Sequence, residues 1–106
     1  MVSIKEFQNF ELIVAQVKEV KDHPNADKLY VLKIDTGAEI KQIVAGIRLA
    51  YAKEALVGRK IIVVNNLEPA MLRGEESCGM LLAASDENGP SVLEADRNVK
   101  IGSRVK

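Results

Sequence analysis

Arg73, Ser77 and Met80 are the residues of this 106-residue chain whose types and spacing could hold a ligand. They lie in or beside a polar stretch, Asn65 to Gly79, between the apolar run Ile61-Ile62-Val63-Val64 and a second run from Met80 to Ala84. An arginine carries five N–H donors in a rigid fork that fits a phosphate or a base edge. A serine hydroxyl suits a phosphate or ribose oxygen. Methionine offers a flexible, polarizable surface that can lie against a base or a sugar. On a loop broken by Pro69 and Gly74 these residues describe a recognition surface.

Catalysis and metal binding find less support. His23 is the single histidine and has no cysteine near it, whereas zinc takes three or four protein ligands. Asp22, Asp27 and Asp35 lack the spacing of a calcium loop. Asp22 to Lys28 reads instead as a turn made rigid by side-chain hydrogen bonds. Cys78 with His23 has the atoms of a nucleophile and a base, but no third residue to orient them and no oxyanion site. A small buried hydrophobe is the expected role of Cys78. Gly74 and Gly79 match neither the P-loop nor the dinucleotide fingerprint. No enzyme activity, cofactor or metal is expected.

The two apolar runs flanking the loop are short, aliphatic and bounded by Asn, Pro and Gly, so both read as strands. At the N-terminus Ser3 and Glu6 form a capping box, with Val2 and Phe7 at the staple positions. A helix of one or two turns covering one end of the core follows. Glu11 to Val20 reads as a long strand, buried on both faces at first and on one face later. His23 to Asp27 breaks it. Leu29 to Ile34 is the next strand, Asp35 to Ala38 a hairpin turn, and Ile40 to Ala45 a third strand ended by Gly46. Arg48 to Val57 is a helix candidate with Gly58 as its stop. Three strands, a short helix and two strands is the order of an OB-fold, a five-stranded Greek-key barrel. The expectation is thus an all-β chain with short helices. It forms one domain over 1–106: an N-terminal cover (1–10), a barrel (11–84) and an extension (85–106). The extension holds the turn segment Ser85 to Pro90 and the run Ser91 to Leu93.

The 15 basic and 15 acidic residues cancel. Proteins that grip nucleic acid by neutralising phosphates show a basic excess, so strong non-selective binding is not expected, and DNA is not an expected partner. Aromatics are scarce: Phe7, Phe10, Tyr30 and Tyr51, with no Trp. OB-folds that hold single strands stack bases on exposed rings, at about 1–3 kcal/mol per base. Phe7 and Phe10 are expected in the N-terminal cover and Tyr30 in a half-buried strand, so folded RNA read by its shape is the better fit. No apolar run approaches the roughly 18 residues of a membrane span. The first residues lack a signal-peptide pattern, and a lone Cys78 cannot form an intrachain disulfide. A soluble cytoplasmic protein with no membrane partner is the expectation.

The series Asn66-Leu67-x-Pro69-x-x-x-Arg73-Gly74-x-x-Ser77-x-Gly79-Met80 resembles the signature of the tRNA-binding domain family with an OB-fold. That family includes the stand-alone bacterial tRNA-binding protein and the C-terminal extension or separate β subunit of methionyl-tRNA synthetase. His23-Pro24-Asn25-Ala26-Asp27-Lys28-Leu29, Val44-Ala45-Gly46-Ile47 and Val99-x-Ile101-Gly102-x-x-Val105 extend the resemblance over Phe10 to Val105. It implies that tRNA is bound at Asn66, Arg73, Ser77 and Met80. Asn25 and Lys28, in the loop between the first two barrel strands, would be secondary contacts. It further implies a homodimer built by strands of the extension, and a role as trans-acting cofactor or β subunit of an aminoacyl-tRNA synthetase, above all methionyl-tRNA synthetase. The CsaA-type export chaperone, a binder of unfolded peptides, resembles the same family and is the rival reading; a structural module of a larger synthetase assembly is a third. One departure stands out: Glu68 replaces the lysine of many members, and Glu75 and Glu76 add charge. Each carboxylate can cost a bound phosphate about 1 kcal/mol or more at close range.

Overall fold

The computed structural model describes all residues, 1–106. In chain order the elements are α1 (Ile4–Phe7), β1 (Leu12–Asp22), β2 (Tyr30–Asp35), β3 (Ile40–Ala45), α2 (Lys53–Leu56) and β4 (Lys60–Val64). They continue as β5 (Ala70–Leu72), β6 (Glu75–Ser77), β7 (Met80–Leu81), β8 (Ala83–Asp86), β9 (Gly89–Val92) and β10 (Arg104–Val105). The main sheet is antiparallel in the order β3-β2-β1-β4-β7, with β10 also paired to β1. Its curl follows from β1, whose first half pairs with β4 (Leu12↔Val64 to Gln16↔Lys60) and whose second half pairs with β2 (Gln16↔Asp35 to Asp22↔Tyr30). The register shifts between Val17 and Glu19, and such a bulge bends a strand and sharpens its twist. Leu12 to Ala15 are buried in succession while Lys18 and Glu19 face solvent, the change from two buried faces to one that the sequence predicts. Leu32, Ile34, Ile43, Leu56, Ile61 and Val63 fill the inside of the curl.

The sheet is an OB-like half-barrel rather than a fully laddered five-stranded barrel. Its two ends, β3 and β7, meet without forming a ladder. Instead the Cys78 N–H donates to the Gln42 carbonyl (2.9 Å), Gln42 Nε2 donates to the Glu76 carbonyl (2.9 Å) and the Val44 N–H donates to Ser77 Oγ (3.0 Å). The expected fifth strand, Met80 to Ala84, is split at Leu82. Leu82 donates to the Ile62 carbonyl and accepts from the Leu93 N–H, which carries the chain from the main sheet into the β8–β9 hairpin. That hairpin takes in most of the predicted turn segment and leaves only Glu87 and Asn88 as its tip.

Two other expectations are corrected. The helix expected over Arg48 to Val57 is reduced to Lys53–Leu56. Arg48 is held off the helical path by its amide on the Lys28 carbonyl, its guanidinium on the Ala26 carbonyl and its ion pair with Asp22. Tyr51 is fixed as well, since its carbonyl accepts from the Tyr30 hydroxyl. Gly58, at φ +91°, ends the segment as anticipated. The N-terminal helix has its capping box, with Glu6 N–H to Ser3 Oγ and Ser3 N–H to Glu6 Oε1, both at 3.1 Å. It covers no core, however: none of its residues is buried, and Phe7 and Phe10 are 40% and 48% exposed. The segment is attached at the sheet margin by polar bonds, Arg104 to the Phe10 carbonyl and Asn66 to the Asn9 carbonyl. No helix is long and apolar enough to cross a membrane.

The hydrogen bonds from Ser3 hold the Glu6 carboxyl below its ordinary value. A carboxyl lowered on folding contributes above its unfolded pKa and loses that contribution as pH falls through the lowered one. The α1 cap should therefore be intact at neutral pH and lost under acid. The amide resonance of Ser3 should titrate with the Glu6 carboxyl, and Glu6→Gln should flatten that titration.

Candidate nucleic-acid interface

The stretch expected to be an open loop is a two-stranded hairpin, β5–β6, with Arg73 and Gly74 as its turn. Both turn residues have positive φ, +56° and +94°, the signature of a type I′ turn whose twist suits a two-residue hairpin. Such turns favour Asn-Gly or Asp-Gly, so an arginine in the first position hides the hairpin from a reading of the sequence. A non-glycine residue in left-handed conformation is uncommon. Here it places the Arg73 side chain at the exposed tip, in none of the three ion pairs of the molecule.

The hairpin is held from two sides. Along one edge β3 grips it through the Gln42 and Val44 bonds that also close the half-barrel. At its tip the loop between β1 and β2 reaches over: Asn25 Nδ2 donates to the Arg73 carbonyl (3.2 Å), and His23 Nε2 lies 2.8 Å from the Leu72 carbonyl. His23 is only 3% exposed, and its Nδ1 accepts from the Asn25 N–H at 3.0 Å. An imidazole that donates at Nε2 and accepts at Nδ1 is the neutral Nε2–H tautomer. The predicted rigid turn is therefore present, and it also anchors the hairpin. That second role joins residues 49 apart in sequence and left no local signal.

The six anticipated contact residues divide into two groups. Asn25, Lys28, Arg73 and Met80 have exposed side chains. Asn66 is exposed, but its amide is occupied: Oδ1 accepts from the Glu11 N–H and Nδ2 donates to the Asn9 carbonyl. Ser77 differs most from expectation. It is 5% exposed, and its hydroxyl accepts from the Val44 N–H and donates to the Gly79 carbonyl (2.9 Å). It supports the hairpin from beneath and offers no free hydroxyl to a phosphate. Cys78 is half-buried rather than buried. Burial, reinforced by the hydrogen bond to Glu76 and that carboxylate's charge, pushes its thiol above the ordinary value. A protonated thiol is a poor nucleophile.

Electrostatically the face is mixed. Arg73 at the tip is an unpaired cation, as is Lys28 beside Leu49 and the β8–β9 hairpin, and Glu68 takes part in no ion pair either. Phe7 and Phe10 flank a separate cleft with Arg104 and Val105. Tyr30 and Tyr51 have their hydroxyls engaged inside the fold. The one ring at the hairpin, His23, is buried, so none is open there to stack a base.

Residues 12–104 match the family model described as "Putative tRNA binding domain". The chain is 50% identical over 105 residues to the methionine–tRNA ligase of Pyrococcus furiosus, covering 99% of this chain and 14% of that protein. It therefore spans about one-seventh of the length of such relatives. Among solved structures it resembles a MetRS-related protein from Pyrococcus horikoshii (TM-score 0.93, 36% identity, 100% of this chain and 98% of that one). It also resembles the CsaA chaperone protein of Picrophilus torridus (TM-score 0.94, 30% identity, the whole of both chains).

If His23 anchors the hairpin, His23→Ala should cost about 2–4 kcal/mol in urea unfolding, from a lost buried side chain and two polar groups left without partners. Amides of β5 and β6 should lose hydrogen-exchange protection beyond the global change. Protection lost evenly over the whole sheet would contradict the anchoring role.

Proposed function

Because the chain belongs to the tRNA-binding domain family, we propose that its β5–β6 hairpin face binds folded tRNA. Arg73 is the primary phosphate contact, with Asn25 and Met80 near it and Lys28 farther along the surface, beside Leu49 and the β8–β9 hairpin. Asn66 and Ser77 act through the scaffold that holds them. The single observation that carries this reading is the left-handed, unpaired Arg73 at the tip of a hairpin fixed on two sides. A chain with no net charge and no stacking ring at this face gains little from bulk electrostatics or from unstacked single strands. Duplex shape and a few placed phosphate contacts remain. The relation to methionine–tRNA ligases supports a role as the tRNA-capturing part, or a trans-acting subunit, of a synthetase.

A second reading, capture of unfolded peptides, is favoured by the likeness to CsaA and by the apolar side chains of Leu67, Leu72 and Met80 along one cleft. An order of competition separates the two: folded tRNA should displace labelled tRNA better than a single strand of equal length or an unfolded protein.

We further propose that the chain forms a symmetric dimer. Leu12, Val14 and Ile62, on the outer face of the sheet, form with Leu93, Val99 and Val105 an open apolar cleft of about 470 Å³. Leu93 is exposed in it, and Val99 and Val105 are half-buried; apolar surface open to solvent can mark protein contact sites, and a two-fold axis lets one patch bind itself. Sedimentation should give a dimer at tens of micromolar. Leu93→Glu should yield a folded monomer; a monomeric parent protein would contradict the proposal.

The tRNA reading is tested at Arg73. Arg73→Ala should weaken binding by about 1–3 kcal/mol. It should also lower the salt slope by somewhat under one unit for each phosphate that is no longer neutralised. Arg73→Lys should recover only part of the affinity. Glu68→Lys should steepen the slope, because a cation replaces a carboxylate beside the phosphate contact. Unchanged affinity in Arg73→Ala together with an unchanged salt slope in Glu68→Lys, with folding intact, would move the RNA site elsewhere.

A further inference from the structure

Beside the hairpin lies a second feature that phosphate binding does not use. Leu67, Ala70, Leu72 and Met80 wall a cleft of about 250 Å³ with Val44 and Gly79 at its floor. At the floor, Ser77 Oγ already holds the Val44 N–H and the Gly79 carbonyl. One charged side chain lines the cleft, Glu68, which is exposed and free of ion pairs. Pockets for drug-sized molecules run to about 300–1,000 Å³, so this slot has room for one ring system or one side chain. A carboxylate only accepts hydrogen bonds. The slot thus suits a flat group with apolar faces and N–H donors on its rim.

We propose that this cleft takes one unstacked base of a folded RNA, and that Glu68 selects bases bearing an exocyclic amino group over uracil. The inference rests on the tRNA-binding reading and assigns a sequence-reading element within it. The faces of the base lie against Leu72 and Met80. An amino group of cytosine, adenine or guanine donates to the Glu68 carboxylate, as carboxylates do to cytosine N4. Uracil turns carbonyl oxygens to either side of its single ring N–H, and their lone pairs oppose the carboxylate. The same hairpin then divides two tasks: Arg73 holds phosphate whatever the sequence, while Glu68 chooses the base. A lysine side chain of a peptide also has an apolar stem and N–H donors. The unpaired Arg73, adjacent to Leu72, disfavours it and favours a ligand that brings its own phosphate.

The test compares bulk tRNA before and after mild nitrous-acid deamination, which turns exocyclic amino groups of unpaired bases into carbonyls. The wild-type protein should bind the deaminated tRNA about five-fold or more weakly, as expected for removal of one net hydrogen bond. Glu68→Gln, whose amide can meet either a donor or a carbonyl, should bind both preparations alike. Met80→Ala should weaken binding to both without changing their ratio. Equal weakening in wild type and Glu68→Gln, or none in either, would overturn the base slot while leaving tRNA binding intact. No binding of untreated bulk tRNA would overturn both readings. Weaker binding of reduced, carboxymethylated lactalbumin by Met80→Ala, with tRNA affinity unmoved, would assign the cleft to peptide and overturn the inference.

Discussion

One buried imidazole joins the two segments of the face proposed to meet tRNA. His23 takes the Asn25 amide on one nitrogen and meets the Leu72 carbonyl with the other, so a single tautomer satisfies both. Leaving either group unpaired in a closed site costs about 1–3 kcal/mol, which is enough to fix a short hairpin that has little apolar burial of its own. Every residue of β5 is exposed, and of β6 only Ser77 is buried. The hairpin is therefore held by polar tethers: His23 and Asn25 at the tip, Gln42 and Ser77 along the edge of β3. The tethers of Gln42 and Ser77 also draw together the two ends of the curled sheet, so the closing of the half-barrel and the setting of the face share atoms.

This arrangement explains how a chain of zero net charge can serve a polyanion. Affinity that comes from a few placed cations needs those cations to be free and their backbone to be rigid. Asp22 is met by Arg48 and Lys53, and Glu94 by Arg59, so these cations are occupied by structural carboxylates. Arg73 remains unoccupied at the hairpin tip, and Lys28 remains unoccupied beside Leu49 and the β8–β9 hairpin. The carboxylate of Glu68, which looks adverse when weighed only against phosphate, acquires a use once it is seen lining an apolar slot that could hold a base.

Much of the fold was legible because its signals are local. The Ser3–Glu6 capping box, the third strand Ile40 to Ala45, the long first strand with its change of burial, and Gly58 as a stop all rest on neighbouring residues. What escaped depends on distant partners. Arg48 to Val57 has helical composition, yet Arg48 is claimed by carbonyls and a carboxylate about twenty or more residues away. Ser77 has the composition of a ligand-binding serine, but its hydroxyl is spent on Val44, 33 residues away. Phe7 and Phe10 suggest a core cover by their hydrophobicity, whereas polar bonds hold that segment at the margin. The Arg73-Gly74 turn escaped for a different reason: arginine is an uncommon residue there, and its side chain is the feature the turn displays. The residues that the resemblance implies as contacts accordingly differ in what they have free to offer. Asn25, Lys28, Arg73 and Met80 expose their side chains, while the polar atoms of Asn66 and Ser77 are engaged within the fold.

Folded tRNA is proposed to meet this protein at the β5–β6 hairpin and the His23–Lys28 loop. The most direct measurement is the backbone amide spectrum of the isotopically labelled protein during titration with bulk tRNA. Shifts and broadening should concentrate at Asn25, Lys28, Arg73, Gly74 and Met80, with the apolar cleft of Leu93 and Val105 unmoved. Perturbations centred on that cleft, or spread evenly with none at Arg73, would contradict the proposal.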